Sequence, residues 1–67
     1  MIDLTQTYTD EEALKLLAAR HFYPLSALYM DGVGYGAKSY DSTDRFIYAG
    51  SEYLATITKE GRFRDLR

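Results

Sequence analysis

The stretch most suggestive of chemistry is Gly32-Val33-Gly34-Tyr35-Gly36, because glycine-rich loops can present backbone N–H groups to phosphates. A dinucleotide fingerprint needs a strand before the glycines and a helix opening after them. A P-loop adds Gly-Lys-Ser/Thr at its end. Ala37-Lys38-Ser39-Tyr40 carries a lysine and a serine at neither spacing, and it reads as a strand. The glycines are therefore expected to permit twist, a bulge or close approach of another backbone. They would also let Tyr35 and its neighbours lie flat against a partner.

The remaining candidates for chemistry are sparse. His21 is the single histidine and cysteine is absent, so a histidine-rich metal cluster cannot be built. Its place at a helix C-terminus suits a cation or a bond to the last carbonyls. Asp10-Glu11-Glu12 points around a helix and serves its dipole, not an acid–base pair. Asp41-Ser42-Thr43-Asp44 has oxygen ligands but too few acidic positions for a calcium loop, and reads as a turn. No catalytic residue, metal or cofactor is assigned, and the chain is expected not to be an enzyme.

Contact chemistry is abundant by comparison. The 67 residues include seven tyrosines, Tyr8, Tyr23, Tyr29, Tyr35, Tyr40, Tyr48 and Tyr53, and no tryptophan. Tyrosine joins a broad apolar face to a polar tip and has only two side-chain torsions to freeze. Tyr48 and Tyr53 are expected to pack in or beside the core. Tyr29, Tyr35 and Tyr40 surround the Asp31-Gly32 dipeptide and form the expected exposed cluster, with Lys38 among them. Near the C-terminus, Arg62 and Arg64 are expected on one face of an edge strand, with Phe63 and Asp65 on the other. Interleaved arginine and aromatic residues can bind single-stranded nucleic acid. They also guard a sheet edge against aggregation, the reading favoured here because the rest of the chain is acidic.

These side chains must be positioned by one small domain spanning residues 1–67. A hydrophobic content of 46% argues against disorder, and a net charge of −2 is too mild to imply a polyanion partner. No stretch approaches the roughly 18 apolar residues of a membrane span. Nor does the N-terminus read as a signal peptide. The expected location is a cytoplasm, the organism's own or a host's.

Thr9-Asp10-Glu11-Glu12 predicts a capping box, with Thr9 as N-cap. The helix it opens is expected to end near His21 or Phe22, since Pro24 disfavours helical geometry at Tyr23. Leu14, Leu17, Ala18 and His21 are predicted to share its apolar face. Residues 24–30 suit a short helix begun by Pro24 or a strand leading into an Asp31-Gly32 hairpin, with residues 33–40 as the returning strand. Further on, residues 45–49, the Gly50-Ser51 turn and residues 52–58 read as strand, turn and strand. Phe46, Ile47, Gly50, Leu54 and Ile57 also fit helical spacing, but Gly50 and the β-branched content favour strands. Lys59-Glu60-Gly61 predicts a three-residue hairpin loop before a last strand at 62–66. The expected fold is α+β: one N-terminal helix packed on a small antiparallel meander of three to five strands.

The expected function is docking on another protein through an aromatic-rich sheet face or hairpin. Tyr29, Tyr35, Tyr40, Lys38, Arg62 and Arg64 are the candidate contacts. By size alone, such a domain suits an accessory protein of a phage or mobile element that inhibits a host enzyme or defence complex, as anti-CRISPR proteins do. The alternative is a small nucleic-acid-binding domain using the basic C-terminal strand. A homodimer is compatible with either.

Overall fold

The computed structural model describes residues 2–31 and 43–67. Helix α1 spans Asp10–His21. It is followed by a single 3-10 turn at Leu25–Ala27 and by strands β1 (Leu28–Asp31), β2 (Arg45–Ala49), β3 (Glu52–Ile57) and β4 (Phe63–Leu66). Among the described residues the strands form one antiparallel sheet of four strands in sequence order, so the architecture is α+β. The short helix and the strand anticipated over residues 24–30 each occupy part of that segment. The returning strand anticipated at 33–40 and the Gly32 hairpin position lie outside the described residues.

Local chemistry sets the element ends. Thr9 Oγ1 accepts from the Glu12 N–H at 3.1 Å, while Glu12 Oε1 accepts from the Thr9 N–H at 2.9 Å. The capping box thus satisfies two N–H donors at the helix terminus reciprocally. At the other end, Phe22 turns the chain with φ 62° and ψ 37°, and the Phe22 and Tyr23 N–H groups both bond Ala18 O. The β3–β4 loop closes through Thr58 N–H to Arg62 O at 2.8 Å. Gly61 supplies the positive φ of 98° in this loop.

The core lies between α1 and one face of the sheet. Ala13, Leu17 and Ala18 of the helix meet Leu28, Ile47, Ala49, Leu54, Ala55, Ile57 and Phe63 of the strands, and Ile2 joins from the N-terminal segment. The helix face is thus turned from the one predicted. Ala13 sits fully buried, while Leu14 and His21 are only half-buried at its margin. A small side chain at the contact centre lets the helix backbone approach the sheet, and the larger Leu14 is left for the rim.

Two irregularities break strict alternation. Between β2 and β3, Ile47 pairs with Ala55 but Tyr48 pairs with Tyr53, so Leu54 is an extra residue. Leu54 and Ala55 consequently both reach the core. Between β3 and β4, Ile57 pairs with Phe63 but Thr56 pairs with Asp65, leaving Arg64 as the extra residue. This corrects the expectation that Phe63 and Asp65 share a face. Phe63 enters the core, 5.7 Å from the Tyr8 ring, while Asp65 lies beside Thr56 on the other side.

Candidate interaction face

The sheet face turned away from α1 carries an aromatic row whose order follows from strand register. Tyr29 pairs with Tyr48 across β1 and β2, and Tyr48 pairs with Tyr53 across β2 and β3. Cross-strand partners project to the same side, so the three rings lie in line. Tyr29 and Tyr48 stack with centroids 5.7 Å apart and planes 24° apart. Tyr48 and Tyr53 meet edge to face at 5.9 Å, and Phe46 meets Tyr53 edge to face at 6.3 Å. All three distances fall in the range where aromatic pairs attract beyond simple burial. None of these four rings belongs to the core shared with the helix.

The row is graded in exposure and polarity. Phe46 is buried, Tyr48 and Tyr53 are half-buried, and Tyr29 at the β1 edge is 48% exposed. The Tyr29 hydroxyl donates to Gly50 O at 2.7 Å, so its exposed ring is held at both tip and face. At the other end, Tyr53 shares a hydrogen bond with the Thr56 hydroxyl and donates to Asp65 Oδ2 at 3.1 Å. The Arg67 guanidinium lies 5.3 Å from the centre of the Tyr53 ring, a cation–π distance, and 3.6 Å from Asp65 Oδ2.

The predicted contacts divide among three places. Tyr29 is on the row. Tyr35, Lys38 and Tyr40 lie outside the described residues. Arg62 and Arg64 stand at β4, the opposite edge of the sheet from Tyr29, which is three strand spacings or about 14 Å away. Arg62 is exposed in the β3–β4 loop. Arg64 bonds Asp44, whose carboxylate is buried, from Nε at 2.7 Å and from a terminal nitrogen at 3.4 Å. Its guanidinium is therefore already bonded to a buried carboxylate. Phe63, the ring expected to assist the two arginines, is buried in the core.

Sequence reasoning separated Tyr48 and Tyr53 from Tyr29 by assigning the first two to packing. They do pack, half-buried, but they continue the same row. The available signal was the short Gly50-Ser51 turn, which places Tyr48 and Tyr53 opposite each other. The Asp44 bond to Arg64 and the seat of Arg67 on the Tyr53 ring were missed because they span 20 and 14 residues respectively. Nothing local announces such pairs.

Two other regions hold polar groups. A cleft of about 360 Å³ is lined by Thr9, Asp10, Arg45, Lys59 and Gly61. Its Arg45 pairs with Asp10 and also donates to Thr58 O at 2.8 Å, and Thr9 and Glu12 occupy the helix N-terminus. The His21 Nε2 is buried without a hydrogen bond, so that nitrogen makes no bond to a last-turn carbonyl. Among the described residues, no group of three or more His, Cys, Asp or Glu could hold a metal ion. No helix among them is long and apolar enough to cross a membrane. Compared with family models, curated proteins and solved structures, the chain matches none.

Proposed function

We propose that this chain is a non-catalytic module that docks on another protein through the Tyr29–Tyr48–Tyr53 face of its sheet. The observation that carries the reading is the Tyr29 ring. It is exposed, yet fixed by its stack on Tyr48 and its bond to Gly50 O. A rigid, amphipathic ring loses little freedom on binding, which is why tyrosine serves well at the centre of interfaces. Arg67 and Asp65 at the far end of the row supply polar groups that would set register.

The competing nucleic-acid reading relied on the Arg62, Phe63 and Arg64 strand together with nearby tyrosines. With Phe63 in the core that strand loses its stacking ring, and Arg64 is bonded to the buried Asp44 carboxylate. The narrower role of a phage or mobile-element inhibitor rests on chain length and adds no residue to the argument.

The test is affinity capture from cells that carry the protein, using the natural chain, Tyr29→Ser and a Lys15→Ser control on the helix. Circular dichroism confirms that each variant is folded. A partner protein recovered in stoichiometric amounts with the natural chain and Lys15→Ser, but lost with Tyr29→Ser, supports the reading. Equal recovery with all three overturns it.

A further inference from the structure

We infer that the Tyr29–Asp31 end of this face receives an arginine side chain of the partner protein. The inference rests on the docking reading above and names the chemistry of what docks. Tyr29 and Asp31 are alternate residues of β1 and face the same side, with Tyr48 and Phe46 as their respective cross-strand partners. Their side chains leave the backbone about 7 Å apart, two residue rises along a strand. Asp31 is half-buried, and its carboxylate makes no ion pair or side-chain hydrogen bond among the described residues. The strand therefore offers a fixed aromatic face beside a carboxylate that no described residue neutralises.

The opposite end of the same row contains the corresponding trio already filled. There the Arg67 guanidinium lies over Tyr53 at 5.3 Å and beside Asp65 at 3.6 Å. Ring and carboxylate together hold the cation, the ring through its quadrupole and the carboxylate through charge. At the β1 end the ring and carboxylate are again adjacent, no described residue supplies the cation, and the partner's arginine is assigned that place. Arginine suits this site better than lysine. Its guanidinium is planar and weakly hydrated, so it can lie on the Tyr29 ring while its edge donates to Asp31. The Asp31 charge opposes a nucleic-acid phosphate at the same place.

The experiment titrates the 15N-labelled full chain with acetyl-Gly-Arg-Gly-amide, and with its lysine and citrulline counterparts, at low salt. Citrulline keeps the planar shape and loses the charge. The expected result is saturable shifts of the Tyr29, Asp31 and Tyr48 amides, with arginine at least about threefold tighter than lysine and citrulline without effect. Asp31→Asn should weaken the arginine peptide about threefold, and Tyr29→Leu should abolish its saturable shifts. Shifts that are equal for citrulline, lie elsewhere or persist unchanged in Asp31→Asn overturn the inference. So does the same response to an oligothymidylate, or to dilution of the protein alone, which would give the face to nucleic acid or to a second copy. If a partner is captured through Tyr29 while the arginine peptide leaves these amides unmoved, docking stands and only the arginine assignment falls.

Discussion

The rings of Tyr29 and Tyr48 stack at 5.7 Å across the β1–β2 pair, and only Tyr48 is sheltered. An edge-strand ring fixed in this way contributes modestly to the fold and remains available to a partner. Tyr29→Ala should therefore cost about 1 kcal/mol in a denaturant titration. Ile47→Ala, one residue from Tyr48 but fully buried against the helix, should cost about 3 kcal/mol. Equal costs would mean that Tyr29 is a core residue in all but exposure.

Phe22 is 94% exposed and is the one described residue other than glycine with positive φ. Left-handed backbone brings Cβ close to the following carbonyl oxygen, and the exposed ring gains little burial in return. Phe22→Gly should stabilise the protein by about 1 kcal/mol, raising Tm by about 4–8 °C in a thermal melt. No change or a fall would show that the ring contributes to folding despite its exposure.

Two glycines with positive φ should respond differently to alanine. At Gly50, φ is 62° and an added Cβ meets nothing within 4 Å. The cost there is the backbone conformation alone, about 1 kcal/mol. At Gly61, φ is 98° and the Cβ would fall 2.1 Å from Tyr8 O, where the Tyr8 N–H also bonds Gly61 O at 2.8 Å. Gly61→Ala must displace backbone and should cost about 3 kcal/mol, measured by denaturant unfolding beside Gly50→Ala.

The legible part of the fold was the part written in local chemistry. Thr9 and Glu12 are three residues apart, and Pro24 lies three residues beyond the end of the helix, so both boundaries could be read. Lys59-Glu60-Gly61 gave its loop for the same reason. The two bulges had no such signal. Leu54 and Arg64 are ordinary strand residues, and their status as extras follows from pairing with neighbours. Missing the second bulge misplaced Phe63 relative to Asp65, and with it the ring expected to serve the basic strand. The site was legible in residue type and in Tyr29. Its continuation through Tyr48 and Tyr53 required strand register, and its Asp31 and Arg67 ends required the whole sheet.

Two hydroxyl bonds give the protein a pH signature at each extreme. The Tyr23 hydroxyl donates to the Glu52 carboxylate. That bond, then partial loss of water and then the carboxylate charge raise the phenol above its ordinary value of 10.0. A raised value stabilises the folded state fully below pH 10.0, and that contribution disappears as pH rises through the higher folded value. Asp3 behaves oppositely. Hydrogen bonds from the Thr5 hydroxyl and then its N–H hold Asp3 below 3.8, so its contribution is present above that pH and lost as pH falls through the folded value. Ultraviolet titration should show the Tyr23 phenol ionising late, with that component returning toward the ordinary value in Glu52→Gln.

The most direct measurement of the docking claim is photocrosslinking from single positions. A benzophenone side chain replaces Ser51, exposed in the turn beside the Gly50 carbonyl that Tyr29 bonds, in one variant and Lys15, exposed on α1, in another. After irradiation in the protein's own cells, crosslinked species are identified by mass spectrometry. A discrete protein adduct from position 51 and none from position 15 is the predicted result. Adducts only from position 15, or nucleic acid in place of protein at position 51, would contradict the account.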